Sequence, residues 1–104
     1  MDTQLFVYKN GLQIIAKKIN KTEEGVFWVE RPARVITQVD KNSGKLAYAL
    51  EPHLPLVDRD TQIDIREADL LHAPLKPSSE LLNGYTEATS GLVLPTDGRS
   101  ILNG

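Results

Sequence analysis

Cysteine is absent from this 104-residue sequence. That single gap removes disulfides, thiol nucleophiles and Cys-ligated zinc. Histidine is scarce, with only His53 and His72. They form no His-x-x-x-His pair to hold one zinc ion, and no Gly-x-Ser-x-Gly turn offers a nucleophile. No metal site and no catalytic residue is therefore expected. Glycine-rich phosphate loops are missing too, so no nucleotide or other cofactor is expected. No apolar run reaches the roughly 18 residues of a membrane span, so no membrane partner is expected. Met1-Asp2-Thr3-Gln4 has neither the basic start nor the apolar stretch of a secretory signal. These absences predict a soluble, cytoplasmic, non-enzymatic protein.

Apolar residues make up 40% of the chain and charged residues 25%, which is ordinary for a folded domain. The length suits one small domain with a thin core, of the kind that gains stability by association. Net charge is −2, whereas a non-specific nucleic-acid binder is usually basic. The charge is uneven. Residues 1–50 carry eight Lys/Arg against five Asp/Glu, a net of +3, and residues 51–104 carry four against nine, a net of −5.

Turn residues cut the chain into short strand-like runs. Leu5-Phe6-Val7-Tyr8 leads to Asn10-Gly11, a strong hairpin signal because both residues tolerate positive φ. Leu12 to Ile19 reads as the second strand, apolar on both faces at first. The polar loop 20–25 precedes a third strand from Val26 to Val39, and Pro32 inside it marks an edge or a bulge, since proline cannot donate to a ladder. Residues 40–44 form a turn cluster, and Lys45 to Leu50 reads as the fourth strand. Thr61 to Glu67 alternates with Ile63 and Ile65 inward, a half-buried fifth strand. Five strands at hairpin spacing predict an all-β fold, a small, strongly bent antiparallel sheet or open barrel over residues 1–73. Residues 74–104 read as a C-terminal extension. Ser78 or Ser79 caps a short helix over Glu80-Leu81-Leu82, with Asn83-Gly84 as its stop. Residues 85–104 have a disorder-like composition, with one apolar patch at Leu92-Val93-Leu94.

The remaining clusters favour plain structural roles. Asp58-x-Asp60-x-x-x-Asp64 has a calcium-loop look, but Gln62 and Ile63 stand where such a loop needs a ligand and a glycine, so a solvated turn fits better. Glu23-Glu24 lies in a loop, and a carboxylate dyad needs a deep cleft that a small barrel rarely supplies. Lys17, Lys18, Lys21, Arg31 and Arg34 form the densest basic set. They read either as solvated strand ends or as a phosphate-contacting surface. Trp28 reads as core or subunit interface, or else, with Tyr8, as a base-stacking ring.

Leu5-x-Val7-x-Lys9-Asn10-Gly11-x-x-Ile14 resembles the first half of the first Sm motif of the Sm-like (LSm/Hfq) family. Phe27-Trp28-Val29-Glu30 resembles the apolar run ending Leu-Glu that follows it there. The likeness covers roughly residues 4–73 and is closest to divergent members of the kind found in phage-type genomes. It implies an Sm-like barrel that assembles as a homo-oligomeric ring, in that family about five to seven subunits joined by strand pairing, with Ile63 and Ile65 in the strand at the subunit interface. It also implies single-stranded RNA as a partner, with Asn20, Lys21, Thr22 and Arg59 standing where the family places its contacts.

The departures cluster at that site. Ala16 stands where the family bends its second strand at a glycine. The family's Asp and Asn fall near Thr22 and Val26, and Asp58-Arg59-Asp60-Thr61 occupies about the place of its Arg-Gly. The expectation is thus a ring with weak RNA binding at most. The alternative is a structural or protein-interaction ring, such as a phage component acting in a host cell, that binds no RNA.

Overall fold

The computed structural model describes residues 2–58 and 60–90. The element order is β1 (Asp2–Val7), β2 (Gln13–Lys21), β3 (Val26–Val39), β4 (Leu46–Pro52), β5 (Gln62–Arg66), a single 3-10 turn (Glu67–Asp69) and α1 (Ser79–Thr89). All strand pairs are antiparallel, in one open five-stranded sheet. The fold is a small all-β domain, as the strand spacing predicts.

The first two hairpins share one turn design. In each, a four-residue turn is closed by the glycine N–H, from Gly11 to Tyr8 O at 2.9 Å and from Gly25 to Thr22 O at 3.1 Å. Gly11 has φ +94 and Gly25 has φ +85. Only the glycine needs positive φ, so Asn10 plays a different part from the one its backbone tolerance implies. Its side-chain carbonyl accepts the Leu12 N–H at 2.9 Å, the local bond that makes Asn a turn former.

β3 pairs with β2 along one edge and is divided along the other. Val26–Glu30 face β5, and Ala33–Val39 face β4. The change falls at a bulge: Ile15 pairs with Ala33 and Lys17 with Glu30, so Arg31 and Pro32 together oppose Ala16. Pro32 therefore sits where the missing donor does no harm. The second strand has no glycine at this bend, and the extra residue in its partner supplies the local kink and twist. After the 3-10 turn, segment 70–75 runs back along β1, bridging at Tyr8–Leu70 and Leu5–Leu75.

The core has two parts. Phe6, Ile14, Ala16, Phe27, Val29, Ile65 and Leu70 fill the concave side, with Phe6 and Phe27 edge to face at 5.5 Å. Ile15, Ala33, Val35, Leu50 and Tyr85 form the second cluster, between the sheet and α1. β2 contributes to both, which explains why its start is apolar on both faces.

Ser78 caps α1, its hydroxyl accepting the Leu81 N–H at 3.1 Å. The helix does not stop at Asn83-Gly84, and residues 85–89 belong to it rather than to a tail. Gly84 is an interior packing residue: a Cβ there would lie 2.5 Å from the Tyr48 hydroxyl, which donates to Glu80 O at 3.1 Å. The next residue, Tyr85, is 1% exposed. Its phenol donates to Arg31 O at 2.8 Å. Burial of this size outweighs a glycine's low helix propensity, about 1 kcal/mol. The Leu92-Val93-Leu94 patch lies outside the described residues.

Burial pushes the Tyr85 hydroxyl well above the usual tyrosine range. Its folded-state pKa is thus higher than the unfolded value near 10. The stability it contributes is complete below that pH and is lost as pH rises further. Tyrosinate absorbance should show Tyr85 ionising last of the three tyrosines, together with unfolding. Tyr85→Phe should remove that linked phase at a cost of about 1 kcal/mol in urea denaturation. Tyr85→Ala should cost about 3–5 kcal/mol. A change within error for Tyr85→Ala would show that α1 is not part of the core.

Candidate functional site

The β2–β3 turn and the 3-10 turn come together at one end of the sheet. The Glu67 N–H donates to Gly25 O at 2.8 Å, and the Glu67 side chain lies over Gly25, where a Cβ would meet Glu67 Oε1 at 2.7 Å. Gly25 thus has two reasons to be glycine, its positive φ and this close approach. Turns more than forty residues apart in sequence become one surface.

Three of the four residues expected to contact RNA are described, and all three belong to this end. Asn20 is exposed near the end of β2, paired in register with Trp28. Lys21 reaches Glu67 Oε2 at 3.6 Å and lies 5.4 Å from the centre of the Phe27 ring. The Thr22 hydroxyl accepts the Val26 N–H at 3.2 Å, and the Thr22 N–H bonds to Val26 O at 2.8 Å. Lys21 and Thr22 are therefore already engaged within the chain. The Lys21–Glu67 pair is half-exposed, so its stabilisation is small, about 0–1 kcal/mol. Arg59 lies outside the described residues.

The neighbours of this set are mostly acidic. Glu23 and Glu24 are exposed on the turn, and Glu67 and Asp69 are exposed on the 3-10 segment. Tyr8, the candidate stacking ring, is half-buried. Burial first, then the charges of Asp69 and Asp64, raise its pKa. Glu67 and Asp69 are absent from the sequence-level site. The signal available for them was the pair of acidic residues directly after the alternating strand; that Glu67 lies beside Gly25 only the sheet reveals.

Ile63 and Ile65 sit on β5 but do not face outward. Ile65 is 1% exposed in the concave core, and Ile63 packs against the same cluster. The Glu67–Gly25 bond fixes the alternation along this ladder. Residues 63 and 65 aim their backbone groups at β3, while Gln62, Asp64 and Arg66 aim theirs away. No strand covers that outer edge among the described residues. Trp28, expected in the core or at a subunit interface, points to the opposite face from Phe27 and Val29 and so is outside the core. At 37% exposed, it is in register with Asp64 beside the free edge.

A separate groove of about 310 Å³ opens beside Pro32, Pro52, Leu54, Val57 and Ile63. His53 adjoins it in sequence; burial, then the nearby Arg34 charge, lower its pKa. Among the described residues no group of three or more His, Asp or Glu is placed to hold a metal. No helix there is long and apolar enough to cross a membrane. No protein-family model matches the sequence, and no curated protein matches it.

Gly25→Ala should destabilise the protein by about 1–2 kcal/mol from positive φ alone, with a further loss where the methyl displaces Glu67. Gly11→Ala, at a similar φ but with open space around it, should incur only the first cost. Equal losses in thermal or urea denaturation would show that the two turns do not press on each other.

Proposed function

We propose that this chain is a non-enzymatic, Sm-like subunit that assembles head to tail into a homo-oligomeric ring. The observation that carries the reading is the outer edge of β5, where the backbone groups of Gln62, Asp64 and Arg66 find no partner strand among the described residues. An open edge invites pairing with another chain. β4, the terminal strand of the path and paired among the described residues with β3 alone, supplies the second edge, for the β5 edge of the next copy. Two different edges on one chain make a heterologous contact, which closes as a ring when the rotation allows. The exposed Trp28 lies in β3 beside the β5 edge, where association would bury it. The interface role expected of Ile63 and Ile65 passes to their outward-facing neighbours, with the isoleucines holding β5 to the core.

For the ligand, the surface favours a protein-interaction ring over a dedicated RNA binder. Lys21 is committed to Glu67, and Glu23, Glu24 and Asp69 stand exposed around it. Carboxylates so placed repel phosphate. RNA binding at this end is then a weak, charge-driven contact on the order of micromolar or poorer at physiological salt, falling steeply as salt rises.

Light scattering at roughly tens of micromolar should report an oligomer. Asp64→Pro removes an outward donor without touching the β3 ladder. It should give a smaller species with unchanged circular dichroism. A wild-type monomer would sink the ring. An intact oligomer in the proline variant would move the interface elsewhere. Anisotropy titrations with U-rich and A-rich oligonucleotides at two salt concentrations address the ligand. Tight, salt-tolerant binding of one sequence would overturn the interaction-ring reading.

A further inference from the structure

Beyond the bulge, β3 and β4 leave the sheet as a two-stranded ribbon. From Thr37 through Ala49 every residue is exposed. Its end carries the cross-strand pair Val39–Leu46, which are 61% and 70% exposed. Lys41 and Lys45 flank this pair. Asp40, also at the tip, is occupied by the turn itself: its carboxylate accepts the Asn42 N–H at 3.0 Å and the Ser43 hydroxyl at 3.0 Å. A two-stranded ribbon is marginal alone in water, and this one ends in an apolar pair that no described residue covers.

The groove lies at the other end of the same ribbon. Ala33 and Pro52, the first register pair of β3 and β4, are in its wall with Leu54, Pro55, Val57 and Ile63. Its volume of about 310 Å³ has room for two branched aliphatic side chains. Asp58 is on its rim and exposed; one of its carboxylate oxygens accepts the Asp60 N–H at 3.0 Å, so the other is the one a cation would meet. The Arg31 guanidinium, also in the wall, is already bonded to Asp60 at 3.1 Å and to Thr89 O at 3.2 Å. Between the wall at Ala33 and the tip at Val39 run six residues of strand, about 20 Å. A ribbon cannot fold back onto its own base, so tip and groove meet only between molecules.

We propose that Val39 and Leu46 of one copy seat in the Pro52–Leu54–Val57 groove of the next, with Lys41 or Lys45 against Asp58. The contact shares no residue with the outward β5 edge and engages β4 at its two ends, through the side chains of Leu46 and Pro52, so it is tested apart from the edge-pairing ring. Like that pairing it is heterologous, so both propagate in one direction.

Complementation tests it. The tip variant carries Val39→Glu with Leu46→Glu. The groove variant carries Leu54→Lys with Val57→Lys. All four positions are exposed, so circular dichroism should not change. Both are made in the wild-type and the Asp64→Pro backgrounds, and read by sedimentation velocity. Each variant alone should lose self-association at least about tenfold relative to its parent. An equimolar mixture should form a 1:1 complex, because each partner supplies the half the other lacks. No complex on mixing in either background overturns the proposal. A tip variant that behaves like its parent, beside a groove variant that does not, also overturns it and gives the groove to a different occupant. The β5-edge reading is judged separately, by the size change from wild type to Asp64→Pro.

Discussion

The structure turns on the bulge at Arg31 and Pro32. One strand, β3, must hydrogen-bond to β2 along one edge and to two different strands along the other. The extra residue opposite Ala16 is where that change is made. Arg31 carries it in an unusual backbone state, φ 54, which costs a non-glycine residue about 1–2 kcal/mol. Its guanidinium Nε is also buried without a partner. The surroundings offset this. Its carbonyl receives the Tyr85 phenol, and its side chain reaches Thr89 O and Asp60. The cation thus sits at the C-terminal end of α1, where the helix dipole favours positive charge. Helix, loop and bend are fastened at one residue, and strain at such a point persists only because the packing around it leaves no alternative.

The strand order was legible because its signals are local. Asn10-Gly11, Gly25, the residue 40–44 cluster and the Ile63/Ile65 alternation each act within a few residues, and each marks a turn or strand in the structure. Pro32 likewise announced an irregularity in β3. The length of α1 was not legible, because Gly84 has the same identity whether it ends a helix or makes room for a tyrosine. The deciding contact, Tyr48 against Gly84, joins residues thirty-six apart. Trp28, read as core or subunit interface, was left open for a related reason. Bulk argues for burial, but in Phe27-Trp28-Val29 the alternation sends only the outer two inward, and which parity faces the core depends on the sheet.

The turn-end surface shows the same division. Thr22 and Lys21 were found through the hairpin they terminate. Glu67 and Asp69 were not, because Glu67 meets Gly25 and Asp69 meets Lys9 only once β5 has paired with β3. Their arrival changes the chemistry of the surface. A set that reads as polar and basic in sequence becomes one in which the single lysine leans on an aromatic ring and a carboxylate. Net charge per half of the chain was a fair guide to this, since Glu67 of the acidic half reaches Lys21 of the basic half.

The bridge between Leu5 and Leu75 bears on the order of assembly during folding. The three consecutive hairpins are local and form on a timescale of about microseconds. The bridge spans nearly the whole sheet-forming sequence, and distant closures of this kind place β-rich domains toward the slow end of folding, about milliseconds to seconds. On a ribosome, Phe6 and Phe27 are paired in their hairpins well before Leu70 emerges to complete the wall of the concave cluster. The nascent chain therefore passes through a stage in which its most apolar surface and its first strand edge are open together, the combination that favours mispairing with a neighbouring chain.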